Sequence, residues 1–224
     1  IDDVYKGYYP EQVIEETKED LAVLCQALKS FFNIKVRRMK PNKNHKTFKT
    51  QDWVSDGYYS FCPRDSVTVI GDTIIESPMT LRSRYFETLG FRDQFIEYMK
   101  DGARWVSAPK PKLTDDNYQR DNLDKLTLTN IEPVFDAANI LRCNNDILYL
   151  LSNTGNKLRA KWLQNFLGSS YKVHVLENMY SYIHIDSTIA LLREGLCLLN
   201  PERVNEDNMP EVLKSWDKIW CPPC

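Results

Sequence analysis

A recurring pattern constrains this chain more than any other feature: an acidic residue, a β-hairpin, a helix and a further strand follow one another three times. The three copies begin at Asp65, Asp136 and Asp186, at unequal intervals. A degenerate repeat of this length is typical of a radial or stacked architecture. If the copies surround a pseudo-symmetry axis, each acid begins an equivalent strand. We therefore expect three carboxylates, together with the imidazole of His184, to converge on the axis.

Turn chemistry and hydrophobic periodicity predict the individual elements. Two β-branched runs, 66–70 and 73–76, flank Gly71-Asp72 and predict a hairpin. Helical spacing of apolar residues predicts the helices, of which the first ends at Asn33 and the third at Gly168. The predicted helices cover residues 10–32, 81–99, 153–167 and 210–216. The other predicted strands cover residues 34–36, 146–151, 171–176, 184–192 and 196–200, with one more beginning at 219. Residues 105–113, which contain two prolines, are predicted to form an extended edge segment.

A cluster of three carboxylates needs a cation among them, since otherwise some of the acids would take up protons. A guanidinium fits because it is planar, permanently charged and offers paired N–H donors. His184 lies two residues before Asp186, a spacing that puts both side chains on one face of a strand. An imidazole beside a carboxylate acts as a general acid and base near neutral pH.

Structural interpretations compete with this one. An Asp at the start of a hairpin more often caps a turn, and a lone His in a strand is usually structural. Arg64 would then bridge to a neighbouring acid, and residues 82–87 would form a solvated helix face with two buried aromatics. Three acids at matching places of a repeat add weight to the functional interpretation without deciding between the two.

Charge and cysteine usage exclude several classes of protein. The net charge is −2, whereas nucleic-acid binding needs a clustered basic excess. No apolar run is long enough for a membrane span, and the acidic first residues are unlike a signal peptide. The six scattered cysteines predict neither a disulfide framework nor a zinc site, and they favour a reducing, cytoplasmic location, with mitochondria as the alternative. Cys25 and Cys197 are predicted to be buried.

Six motifs then occur together and in order. They closely resemble those of the arginine-dependent amidinotransferases, the glycine and inosamine-phosphate amidinotransferase family. The resemblance runs from about residue 8 to the last residue. The motifs are Phe61–Asp65, Ile75–Met79, Arg82–Glu87, Ala108–Pro111, Pro133–Ala138 and His184–Thr188.

The resemblance implies an α/β fold of the pentein type, a propeller of five ββαβ modules of which this chain would hold about three. It also implies a double displacement in which a cysteine takes the amidino group of arginine and passes it to an amine. Carried over by motif, His184 is the general acid/base and Asp136 its carboxylate partner. Asp65 and Asp186 bind the guanidinium, and Arg203 is a further ligand of the arginine substrate. No metal and no cofactor is expected.

The sequence departs from the family at the nucleophile. In the family this cysteine lies in a Gly- and His-rich segment near the C-terminus, and none of the six cysteines has that context. Residues 1–224 are therefore expected to form an amidinotransferase domain without the C-terminal modules that carry the nucleophile. Two hypotheses follow: part of an amidinotransferase, or a non-catalytic relative that serves as a scaffold or subunit.

The implied partners are L-arginine and an amine acceptor, either glycine or an aminocyclitol phosphate. Ser181 and Ile183 are predicted to influence the choice of acceptor. No nucleic acid or membrane partner is expected. A homo-oligomer or a larger assembly would cover the open edge of the propeller.

Overall fold

A computed structural model describes residues 9–39, 46–57, 62–122, 124–180 and 182–222. Phe61, the first residue of one family motif, and Ser181, a predicted determinant of the acceptor, lie outside these ranges. The chain divides into two compact units, Ile1–Lys40 and Pro41–Cys224. No helix of the described ranges is both long and apolar enough to cross a membrane.

The first unit contains one long helix, α1 (Glu11–Phe32), which confirms the predicted element. Asn33 ends it in the left-handed conformation, φ 51°, and its N–H caps the carbonyl of Leu28. No residue of α1 is buried, and Cys25 is only half-buried, so the expectation of a buried Cys25 is wrong. The strand predicted at 34–36 is wrong as well, because residues 33–39 have no regular structure.

The second unit opens with a two-stranded antiparallel ladder, β1 (Thr47–Lys49) and β2 (Val54–Asp56). A first ββαβ module follows. A short helix, α2 (Pro63–Ser66), leads into the hairpin of β3 (Val67–Ile70) and β4 (Thr73–Glu76), which turns at Gly71 with φ 59°. After helix α3 (Arg92–Lys100), β5 (Arg104–Ser107) returns parallel to β4. The predicted hairpin is thus confirmed.

The helix predicted over 81–99 is only partly correct. Two 3-10 segments, Arg82–Arg84 and Glu87–Phe91, precede α3. The side chains of Arg84 and Glu87 are buried rather than solvated, at 3% and 2% exposure. Both charged side chains point inward, where Arg84 bonds to Glu87 and to Asp65.

A second ladder, β6 (Tyr118–Arg120) with β7 (Leu126–Leu128), separates the first module from the second. The second module consists of β8 (Ile140–Cys143), β9 (Asp146–Leu150), helix α4 (Lys157–Leu167) and β10 (Lys172–Leu176). Here β8 and β9 are antiparallel, and β9 and β10 are parallel. Asn156 caps α4 by accepting from the N–H of Arg159, and Gly168 ends the helix with φ 68°.

The third module repeats the same pairing with a reduced helix. Its strands are β11 (Ile189–Arg193), β12 (Leu196–Leu199) and β13 (Asp217–Trp220), with a 3-10 turn at Glu211–Leu213. Cys197 on β12 is fully buried, as predicted. The strand expected to begin at 184 begins instead at Ile189, because residues 184–188 form turns.

The hydrophobic core lies between neighbouring modules. One cluster joins the first two modules through Ile75, Phe135 and Tyr149. A second cluster joins the second and third modules through Leu148 and Leu199. Burial of these faces drives the modules together, at roughly 25 cal/mol for each Å² of apolar surface removed from water. As a result, the segments that precede the first strand of each module lie next to one another.

Candidate active site

His184 and Asp136 form the centre of the site. The Nε2 atom of His184 lies 3.2 Å from Oδ2 of Asp136, and the two residues are 8% and 1% exposed. The other oxygen of Asp136, Oδ1, accepts hydrogen bonds of 3.0 Å from both the N–H and the hydroxyl of Thr80. An ionised carboxylate only accepts, so Nε2 of His184 donates and Nδ1 is the ring nitrogen left to take up or release a proton.

The backbone on both sides of His184 is held by the second module. The carbonyl of Ile183 accepts hydrogen bonds from the hydroxyls of Ser152 and Thr154, and the N–H of Ile185 donates to the carbonyl of Ala138. The carbonyl of Thr154 also accepts a hydrogen bond from the N–H of Asp136. The imidazole and its carboxylate partner are thus fixed by one continuous set of bonds.

Asp65 completes the buried part of the site. Its Oδ1 lies 3.7 Å from Nδ1 of His184, and its Oδ2 accepts from a guanidinium nitrogen of Arg84 at 2.9 Å. The same guanidinium makes two further bonds to the carboxylate of Glu87, at 2.5 and 2.8 Å. Burial acts to lower the pKa of Arg84, but its bonds to Glu87 and Asp65 prevail and raise that pKa. Burial raises the pKa of Glu87 despite Arg84.

Asp186 and Arg203 lie at the more open side of the site. Asp186 is exposed, and within the described ranges its carboxylate accepts no hydrogen bond. It stands on a turn rather than a strand, so the expectation that His184 and Asp186 share one strand face is wrong. Arg203 is half-buried: it donates to the carbonyl and hydroxyl of Ser187, and its guanidinium carbon lies 3.6 Å from the ring centre of Tyr180.

Arg64 links the first and second modules. Its guanidinium donates to the carbonyls of Ala137 and Ile140, next to Asp136 in the chain. Burial lowers the pKa of Arg64, and the negative charges of Asp186 and Asp65 oppose that change. The alternative expectation, a simple bridge from Arg64 to a neighbouring acid, is therefore wrong in its geometry.

The structure thus places Asp136 and Asp65 next to the two ring nitrogens of His184 and leaves Asp186 and Arg203 at the margin. Sequence reasoning missed Thr80, Arg84 and Glu87 as members of the site. Arg84 and Glu87 lie in the Arg82–Glu87 motif. The family resemblance therefore pointed to this segment, whereas its hydrophobic periodicity predicted only a solvated helix face. Among the described residues, no group of three or more His, Cys, Asp or Glu side chains could hold a metal ion.

The burial and the charges define what the site can do. Asp65 directs one carboxylate oxygen toward Nδ1 of His184, and Asp136 accepts from Nε2, so the imidazole lies between two acids. Such a negative environment favours a cation, and Nδ1 is available for proton transfer. Cys62 lies close enough for Asp65, Glu87 and Asp186 to affect it, and burial, assisted by these acids, raises its pKa. A raised pKa makes the Cys62 thiol a poor nucleophile near neutral pH, because the thiolate is the reactive form.

The fold and the site together define a class of protein. Three ββαβ modules that bring an acid/imidazole cluster to their inner ends form a pentein-type α/β propeller, as expected. The solved inosamine-phosphate amidinotransferase of Streptomyces griseus superposes on the chain with a TM-score of 0.92 at 49% sequence identity. The match covers 99% of this chain and 64% of that one.

The sequence comparison gives the same result. The chain is 50% identical over 221 residues to inosamine-phosphate amidinotransferase 1 of Streptomyces glaucescens, covering 99% of this chain and 63% of that protein. It is 39% identical to the L-arginine:L-lysine amidinotransferase of Pseudomonas savastanoi pv. phaseolicola, covering 96% of this chain and 60% of that protein. No family model matches. The chain is therefore a homologue of the amidinotransferases, and it spans less than two thirds of the length of these relatives.

Proposed function

We propose that this chain supplies the guanidinium-binding and acid–base part of an amidinotransferase active centre. The complete centre would move the amidino group of L-arginine to an amine and release ornithine. The observation that carries this proposal is the buried His184, bonded to Asp136 through Nε2 and facing Asp65 through Nδ1. Such an arrangement provides both a proton carrier and a negative environment for a cationic group.

The substrate guanidinium would bind between Asp65 and Asp186. Asp65 keeps Oδ1 directed toward His184 while Oδ2 is occupied by Arg84, and Asp186 exposes its carboxylate. Arg203, held by Ser187, offers a positive charge that suits the carboxylate of arginine. The relative named L-arginine:L-lysine amidinotransferase supports arginine as the donor.

The reaction would proceed in two displacements. A cysteine thiolate attacks the guanidino carbon, and His184 gives a proton to the departing nitrogen, so that neutral ornithine amine leaves and the amidino group stays on sulfur. The acceptor amine then attacks the amidino carbon, His184 takes the excess proton of that amine, and the thiolate leaves. His184 therefore begins protonated beside the thiolate, is neutral in the amidino-cysteine intermediate, and is protonated again when the thiolate leaves, so the complete cycle restores the starting charge.

We assign the attacking sulfur to a cysteine outside these 224 residues. None of the six cysteines has the family's nucleophile context, and burial and nearby acids raise the pKa of Cys62. The intact mass of the native polypeptide tests this assignment. A mass well above 26.2 kDa supports a longer, complete enzyme, whereas a mass near 26.2 kDa supports the non-catalytic alternative.

The acceptor would be an aminocyclitol phosphate or glycine. The similarity to inosamine-phosphate amidinotransferases, at 50% identity, favours the aminocyclitol phosphate. Ile183, which is 38% exposed beside His184, would contact the acceptor, and Ser181 is proposed to do so from its place in the same segment.

The test is to incubate the native protein with L-arginine and a panel of amines, and to measure ornithine. We expect ornithine release that depends on an acceptor, with an aminocyclitol phosphate more effective than glycine. Correctly folded protein that releases no ornithine with any amine would contradict the proposal and favour a scaffold.

A further inference from the structure

Behind Asp65 lies a buried ion pair that the reaction described above does not use. Arg84 and Glu87 are 3% and 2% exposed, and they share a bidentate contact through Nε and one terminal nitrogen of the guanidinium. The other terminal nitrogen donates to Oδ2 of Asp65 at 2.9 Å. Two edges of the planar guanidinium of Arg84 therefore bond to Glu87 and to Asp65.

We propose that Arg84 and Glu87 are a positioning pair for the guanidinium-binding carboxylate of Asp65. Arg84 fixes the orientation of Asp65, and Glu87 balances the charge of Arg84 so that Asp65 keeps its attraction for a cation. This inference rests on the proposed function, since it concerns how the same site binds arginine.

The orientation follows from the fork of the guanidinium. Its donors lie in one plane at fixed angles, so the two bonds to Glu87 also fix the direction of the third donor. That donor occupies Oδ2 of Asp65 and leaves Oδ1 facing Nδ1 of His184 at 3.7 Å. Asp65 is thus presented with one oxygen already bonded and the other directed into the site.

The role of Glu87 follows from charge. An unbalanced Arg84 beside Asp65 would neutralise it, and the arginine substrate would then meet a weaker negative field in a site of reduced dielectric. With Glu87 in place, the Arg84–Glu87 pair is neutral as a whole. The negative charge of Asp65 therefore stays available to the substrate, together with that of Asp136 and of Asp186.

The first test replaces the planar guanidinium of Arg84 by the single ammonium group of a lysine. Arg84→Lys keeps the positive charge but cannot hold Glu87 and Asp65 in one plane. We expect the dissociation constant for arginine, measured by calorimetry on the native protein, to rise about tenfold or more, as expected for the loss of charge-assisted hydrogen bonds. Binding of ornithine, which lacks the guanidinium, should change less than about twofold.

Arg82→Lys is the matched control. Arg82 lies on the same 3-10 segment, but it bonds to the carbonyl of Leu113 and to Asp115 rather than to a carboxylate of the site. We expect arginine binding to be unchanged in this variant. Circular dichroism and thermal unfolding of both variants check that the fold is retained.

A second variant addresses charge alone. Glu87→Gln keeps the size of the side chain, and we expect it to weaken arginine binding at least about threefold. Ornithine should lose affinity as well, because its side-chain ammonium is also a cation. If Arg84→Lys does not fold, this variant decides the matter. Unchanged arginine binding in Glu87→Gln would then overturn the positioning pair.

The outcomes separate the two proposals. If the unmodified protein binds no arginine, the proposed function fails. If it binds arginine and both variants bind it equally well, only the positioning pair fails. In Arg84→Lys, which keeps the charge, an equal loss of arginine and ornithine binding would show a general structural effect and would also overturn the inference.

Discussion

The two sides of the site differ in their exposure to solvent and in how completely their carboxylates are bonded. On the buried side, both oxygens of Asp136 have partners, and Asp65 is held through Arg84. On the open side, Asp186 is exposed and Arg203 is half-buried against Tyr180. Buried polar groups must be hydrogen-bonded within the protein, whereas exposed polar groups are solvated by water and stay accessible to a ligand. This difference supports the proposed division of roles, with proton transfer on the buried side and substrate binding on the open side.

This contrast has an energetic cause. Leaving a buried carboxylate such as Asp136 without partners costs on the order of 1–3 kcal/mol or more. The hydrogen bonds from Thr80 and His184 avoid that cost, and they hold the carboxylate of Asp136 in one orientation. An exposed carboxylate such as Asp186 is solvated by water and needs no such support. Substitutions on the two sides should accordingly affect different kinetic quantities.

The largest effect is expected for His184→Ala. Removal of the proton carrier should lower kcat for ornithine release by at least about a hundredfold. His174→Ala is the matched control, because His174 also contacts an aspartate, Asp146, but on the sheet of the second module. Retained turnover in His184→Ala, with the control behaving like the unmodified protein, would remove His184 from the reaction.

A slightly smaller loss is expected for Asp136→Asn. The amide oxygen can still accept from Thr80, but the amide nitrogen then faces Nε2 of His184 and forces that nitrogen to accept. The ring proton moves to Nδ1, which can no longer take up a proton. We expect kcat to fall by about tenfold to a hundredfold with little change in the KM for arginine. A change confined to KM would place Asp136 on the substrate-binding side instead.

The open side should respond in binding rather than in turnover. Asp186→Asn removes the charge of an exposed carboxylate, the proposed guanidinium ligand, without disturbing a buried bond. We expect the KM for arginine to rise about tenfold, with kcat nearly unchanged, as is typical for the loss of an interaction made equally in ground and transition states. Steady-state ornithine release at varied arginine measures both quantities. Unaltered KM would exclude Asp186 from guanidinium binding.

The smallest effect is expected for Thr80→Val. Valine has nearly the shape of threonine but lacks the hydroxyl that donates to Asp136, while the backbone N–H bond remains. A single hydrogen bond contributes about 0.5–1.5 kcal/mol, so kcat should fall about twofold to tenfold. A loss as large as that of Asp136→Asn would show that the backbone bond alone cannot hold the carboxylate.

Local signals predicted part of this structure well. The hairpin of β3 and β4 depends on Gly71 and its neighbours, and α1 ends at Asn33, as expected. The helix from 81 could not be predicted in the same way, because Arg84 is drawn inward by Asp65, which lies 19 residues earlier in the chain. Local periodicity contains no information about such a partner.

The site shows the same limit. The repeated acids and His184 led to Asp136 and Asp65 although 48 residues separate His184 from Asp136. The assumption that His184 and Asp186 share a strand was wrong, because the backbone of 183–185 is bonded to the second module and forms turns. Thr80 was missed because its role depends on the contact with Asp136, and no local pattern marks it.

A crystal structure of the His184→Ala variant with L-arginine bound tests the central claim most directly. The account predicts that guanidinium nitrogens lie within about 3 Å of carboxylate oxygens of both Asp65 and Asp186. Arginine bound elsewhere, or bound with its guanidinium turned away from these two acids, would contradict it.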